Sequence, residues 1–195
     1  MKECPLCSVA GRSRLERYLD DIALLQCGSC GFVYADLPDE LILRVNSAYD
    51  DTAADRYDAS QTFLDDAWFW RIAAGFTKRL GAGRVLDVGC GNGRLLYHFG
   101  RLGWDCSGVD TSPWGQKSAD LYGFELFQGT VENMTSQMGK FDLVVSCSTL
   151  EHIARPVPHI EAISQVLKQG GYGYFCGMPN YGSLSVRCAF STFHN

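Results

Sequence analysis

Two groups of residues in this 195-residue chain have the types and spacing for chemistry. The first is the run RVLDVGCGNGR at residues 84–94, where Asp87 precedes Gly89, Gly91 and Gly93, with Cys90 and Asn92 between them. A glycine turn opening a helix presents backbone N–H groups at the helix N-terminus. A dinucleotide turn reads G-x-G-x-x-G, and the residue it needs as its third glycine is Arg94 here. The Asp87 carboxylate would repel a pyrophosphate and accept hydrogen bonds from an ammonium group. The pattern therefore suits a cofactor with an amino-acid end; the plainer alternative is a glycine turn that holds no ligand.

The second group is made of thiols. Cys4 and Cys7 form one C-x-x-C pair, Cys27 and Cys30 another, and 19 residues separate them. That spacing is one at which four thiolates close a tetrahedral zinc site, structural rather than catalytic. A segment of about 30 residues buries too little apolar surface to fold alone, so the metal would supply folding free energy. Two disulfides or a redox dithiol are the alternatives. The chain has nine cysteines, an odd number, and no apolar signal core near its start, which favours reduced thiols and a cytoplasmic location.

The elements that must position these groups follow from periodicity. Residues 1–35 read as a zinc ribbon, whose run from Gly31 to Tyr34 is expected to dock on the main body. Residues 36–62 are acidic and turn-rich, a linker or cap with a short helix near 40–45. Apolar residues from Phe63 to Leu80 recur at helical steps, with Trp68, Phe69 and Trp70 expected in the core. From residue 84 strands and helices alternate: strands at 84–88, 104–109, 124–128, 141–147 and 172–177, and helices near 93–102, 113–122, 131–138 and 156–168. Strict alternation implies right-handed crossovers and an α/β, doubly wound parallel sheet.

Asp87 to Gly93 reproduces the D-x-G-x-G-x-G signature, and here the sequence resembles the class I S-adenosylmethionine-dependent methyltransferases. The LEHI stretch at 150–153 is similar to that of small-molecule O-methyltransferases of the quinone-biosynthesis type. It is also similar to that of sugar- and natural-product-modifying relatives with an N-terminal zinc-binding segment. The resemblance covers roughly residues 1–182 and implies a Rossmann-like sheet of order 3-2-1-4-5. It implies that the turn Asp87, Gly89, Cys90, Gly91, Asn92 and Gly93 holds the methionine portion of S-adenosylmethionine, or of its product S-adenosylhomocysteine. Asp110, ending the second strand, would take the ribose hydroxyls beside Thr111, unless it caps the following helix. Thr130 stands near where the family often has an acid for the adenine amino group, Val131 would form an apolar wall, and Cys147 closes the set.

The acceptor side is less specified. His152 is the candidate base if the acceptor is a hydroxyl, and ordering the loop is its plainer role. The remaining cysteines, Cys106, Cys176 and Cys188 included, read as apolar fillers. A small hydroxylated or sugar-like acceptor is expected. A non-catalytic binding module and an RNA methyltransferase docking through the ribbon are the alternatives. A net charge of −5 and the absence of an acidic N-P-P-Y/F-type stretch argue against nucleic acid, and no apolar run is long enough for a membrane. The family's sheet ordinarily continues after the fifth strand. A homodimer partner or a missing C-terminal segment is therefore expected to cover that strand's edge.

Overall fold

The computed structural model describes residues 3–11, 13–19, 22–53, 63–112 and 115–183. At the N-terminus, β1 (Ser13–Leu19), β2 (Ile22–Cys27) and β3 (Val33–Ala35) form an antiparallel three-stranded sheet in the order β1-β2-β3. Its small core is Cys4, Leu25, Cys27 and Tyr34, flanked by Cys7, Ala23 and Phe32. The run from Gly31 to Tyr34 thus pairs within the ribbon's own sheet and fills the ribbon's own core, where docking on the main body was expected. Tyr34 alternates inward between two half-buried neighbours, as a strand residue does.

The presumed linker contains a full helix, α1 (Asp39–Ala53), beginning after Pro38 with Asp39 and Glu40 in its first turn. Residues 54–62, with Tyr57, lie outside the described residues. Next comes α2 (Phe63–Leu80), whose Ile72 and Ala73 are buried while Phe69, Phe76 and Leu80 pack beside them. Trp68 and Trp70 were expected in the core, but they stand 40% and 44% exposed. The helix turns its Ile72/Phe76 stripe inward, and Trp70 meets the edge of the His98 ring instead.

The main sheet follows the expected order. β4 (Arg84–Val88), α3 (Arg94–Arg101), β5 (Asp105–Asp110), α4 (Gly115–Tyr122), β6 (Glu125–Gln128), α5 (Val131–Met134), β7 (Phe141–Cys147), α6 (Pro156–Val166) and β8 (Leu167–Cys176) alternate along the chain. All four pairings in the order β6-β5-β4-β7-β8 are parallel. β4 and β7, the strands buried almost throughout, are the most apolar because both their faces are covered. Val85, Leu143 and Val145 face α2 and α3, while Leu86, Val88 and Val144 face α6 with Ile163 and Val166. Leu95, Leu96 and Phe99 pin α3 to the sheet, each contributing about 2 kcal/mol by burial. No described helix is long and apolar enough to cross a membrane.

The helix expected near 156–168 ends at Val166, and β8, which contains Gly170 and Gly171, begins at Leu167, paired with Phe141. The glycines lie inside an irregular stretch of β8. A Cβ on Gly171 would stand 3.1 Å from the Phe141 carbonyl oxygen, so the close strand approach requires glycine. Pro113, Trp114 and residues 184–195, including Cys188, lie outside the described residues.

Candidate cofactor and metal sites

The carboxyl ends of β4, β5 and β7 meet at one edge of the sheet, where parallel α/β sheets hold ligands. Between β4 and α3 the chain turns through Gly89, Gly91 and Gly93 with φ of 76°, 51° and 68°. Most of the turn's N–H groups are already used. Those of Gly89 and Cys90 donate to the Val109 carbonyl, Gly93 to Cys90, and Gly91 to Asp110 Oδ2 at 2.7 Å. Asp110 also accepts from Ser112 N at 2.8 Å and from the Ser112 hydroxyl. The sequence treated Asp110 as a ligand residue or a helix cap; here it is a strut of the turn. A carboxylate has about four acceptor positions, so it retains capacity for hydroxyls.

Asp87 is one of the buried polar groups this scaffold leaves unserved, with Ser146, His98 and His159. It shares the Val85 face of β4, is 4% exposed, and its buried Oδ1 has no hydrogen-bond partner. Burial, with the neighbouring Asp110 charge added, pushes its carboxyl up to about 8. A buried acceptor without a donor costs roughly 1–3 kcal/mol unless a ligand supplies one.

The loop after β7 seats against the turn. Thr149 donates through Oγ1 to the Val88 and Cys147 carbonyls, both at 3.2 Å. A Cβ on Gly89 would lie 2.6 Å from Thr149 Cγ2. Gly89→Ala is therefore expected to destabilise the chain by about 2–3 kcal/mol in urea unfolding, through the left-handed φ and the overlap together. His152 ends the short 3-10 turn Leu150–His152 and is exposed. Its carbonyl accepts from Asn46 Nδ2 at 2.8 Å, and Arg155 pairs with Asp39 at 2.8 Å. Two contacts thus tie α1 to this loop. Sequence reasoning missed them, although Asp39 and Glu40 after Pro38 signalled the helix.

The other expected site residues differ in exposure. The Cys90 side chain is buried against Gly108, where a Cβ would meet its Sγ at 2.6 Å. Val131 is 1% exposed and belongs to the core cluster with Val88, Val109 and Phe141. Thr130 precedes α5 and is exposed, as is Thr111 after β5. Asn92 Oδ1 accepts from Arg94 N at 3.3 Å. Arg94, which breaks the dinucleotide pattern, is gripped by Asp66 of α2, with Nε to Oδ1 at 2.9 Å. That pair fastens α2 to the end of the turn, and nothing local in the sequence marks it.

In the ribbon, the four sulfurs of Cys4, Cys7, Cys27 and Cys30 lie within 4.8 Å of one another. Cys4–Cys30 and Cys7–Cys27 stand 3.7 and 3.6 Å apart. Zinc–sulfur bonds of about 2.3 Å in a tetrahedron require edges of about 3.8 Å. The donor set therefore fits one ion. Backbone N–H groups of Cys30 and Ser29 face Cys27 and lower its thiol to about 6.

Residues 86–175 match the family described as "Methyltransferase domain". This stretch is similar to class I S-adenosylmethionine-dependent methyltransferase domains. The chain is 37% identical over 99 residues to a ubiquinone biosynthesis O-methyltransferase of Xanthomonas oryzae pv. oryzae, covering 47% of this chain and 41% of that protein. The chain thus spans less than half the length of that relative. Among solved structures, a DhpI–SAH complex is 25% identical with a TM-score of 0.56, covering 71% of this chain and 70% of that one. A methyltransferase from Thermotoga maritima shares the fold at 21% identity and a TM-score of 0.55, covering 75% of this chain and 67% of that one. Within this stretch the glycine turn, Asp87 and Asp110 lie together at the carboxyl ends of β4 and β5.

Proposed function

We propose that this protein binds S-adenosylmethionine across the glycine turn and transfers its methyl group to the oxygen of a small hydroxylated acceptor. The observation that carries the reading is Asp87, a buried carboxyl oxygen without a donor beside a turn whose own N–H groups are mostly committed. An ammonium group supplies both the missing donors and a compensating charge. The bound cofactor brings a methyl carbon activated by its sulfonium, and the protein's task is to align the acceptor behind it. Asp110 receives the ribose hydroxyls on its remaining acceptor positions, beside Thr111 and Thr130. The carbonyl edge around Cys147 and the Leu150–His152 turn bound the acceptor side, with His152 as the base.

The ubiquinone O-methyltransferase relative supports an oxygen acceptor. The ribbon at 1–35 holds one structural zinc through Cys4, Cys7, Cys27 and Cys30; α1 belongs to a cap over 36–62, and the methyltransferase unit runs from 63 onward. The outer edge of β8, unpaired among the described residues, is where a second copy or a further segment of the polypeptide pairs.

Calorimetric titration of S-adenosylhomocysteine into the purified chain tests the reading, with binding expected near micromolar. Asp110→Ala should weaken that binding about 100-fold, because it removes the Gly91 strut as well as the hydroxyl acceptor. Full affinity in this variant, or no binding by the folded parent chain, would reject the site.

A further inference from the structure

Cys147 closes β7 and Cys176 closes β8, and the two residues are register partners across the parallel pair. Paired strands lie about 4.8 Å apart, within the Cα separations of about 4.4–6.8 Å that a disulfide spans. Their Sγ atoms stand 2.9 Å apart, closer than the 3.6 and 3.7 Å between the ribbon sulfurs. The strand ends are held in place around them, since Ser148 N donates to the Cys176 carbonyl at 2.8 Å. Both thiols are half-buried, neither deep in the core nor on the surface.

We propose that Cys147 and Cys176 form an oxidisable dithiol that closes to an intrachain disulfide at the cofactor edge of the sheet. The oxidant is a low-molecular-weight disulfide such as oxidised glutathione. One cysteine, as thiolate, attacks a glutathione sulfur and releases one reduced glutathione. The second cysteine then displaces the other glutathione, leaving the protein disulfide. Two protein thiols lose two protons and two electrons, and one small disulfide becomes two thiols. Burial, with the Asp87 charge added, pushes the Cys147 thiol up, so the reaction is slow at neutral pH and accelerates in base.

The bond reaches the turn through a short path. The Cys147 carbonyl accepts from Thr149 Oγ1, and Thr149 lies against Gly89. Closure therefore alters cofactor affinity, a consequence that rests on the proposed cofactor site, whereas the bond itself does not.

The zinc-loaded full chain, incubated with oxidised glutathione at pH 8, tests this by alkylation of the remaining thiols and peptide mass mapping. The expected product is a crosslinked pair of peptides bearing Cys147 and Cys176, lighter by two hydrogens, with Cys4, Cys7, Cys27 and Cys30 still alkylated. Cys176→Ser should abolish the crosslink and leave glutathione attached at Cys147. Separate glutathione adducts on both cysteines of the parent chain, or complete alkylation of both, would overturn the proposal. S-adenosylhomocysteine affinity should differ about fivefold or more between reduced and crosslinked chains. Equal affinities would overturn the coupling to the turn. Failure of the reduced chain to bind at all would count against the cofactor site while leaving the crosslink result intact.

Discussion

Asp87→Asn should weaken S-adenosylhomocysteine binding by about 10- to 100-fold, and in the same sample stabilise the cofactor-free chain at alkaline pH. Both effects come from one buried carboxyl. Losing a charged hydrogen bond to an ammonium accounts for the first. For the second, the folded-state value near 8 lies above an ordinary 3.8, so the folded chain binds this proton more tightly than the unfolded chain. Its contribution to stability is complete below about pH 4 and is lost as the pH rises towards 8. The loss amounts to at most about 6 kcal/mol. Asparagine does not titrate, so the variant should overtake the parent in thermal unfolding without ligand as the pH rises from 5 to 8. A parent chain whose stability relative to the variant stays flat over that range would contradict the burial argument. Binding has the matching sign. The parent should release a proton on binding near neutrality, its affinity rising by up to tenfold per pH unit towards 8, and the variant should not.

Zinc removal, or Cys27→Ser, should unfold residues 1–35 and leave the α/β sheet in place. The ribbon's small core has four buried residues, two of them among the proposed zinc ligands, so the proposed metal would be its main source of cohesion. Binding of about 10–16 kcal/mol at comparable four-ligand sites exceeds what Leu25 and Tyr34 can contribute. Hydrogen exchange on the chelated chain should show loss of protection across β1, β2 and β3 only, with zinc content falling from one per chain to none. S-adenosylhomocysteine affinity should change by less than about threefold. Retained protection without metal would assign the ribbon's stability to something other than the four thiolates.

How much of this was legible in the sequence depended on how local each signal was. The β4 turn announces itself because an apolar strand, three spaced glycines and a helix restart fall within 11 consecutive residues. The four thiols are equally plain, since metal geometry demands paired knuckles. Val131 was legible only as apolar, because that character marks a core face and a ligand wall alike; its burial in the core is a matter of packing. Asp110 showed its identity but not its partners. Its hold on Gly91 depends on β5 lying beside β4, which pairing along the sheet decides. The ties from α1 to the post-β7 loop, and from Asp66 to Arg94, join residues 106, 116 and 28 positions apart, where periodicity carries no information. The start of β8 at Leu167 was not legible either, because the close approach of Gly171 to β7 is a tertiary demand.

The central strand has a consequence for how the chain is made. β4 pairs on one side with β5, about 20 residues later, and on the other with β7, where Val85 meets Leu143. On the ribosome, a nascent chain that has reached only β6 leaves one edge of its middle strand bare. Distant pairing of this kind is slow, because a long loop must close before it is rewarded. Thr149, which presses on Gly89, emerges later still. The glycine turn at residues 89–93 is completed only after residue 149 has emerged, and until then an apolar edge is open to chaperones and to misassembly.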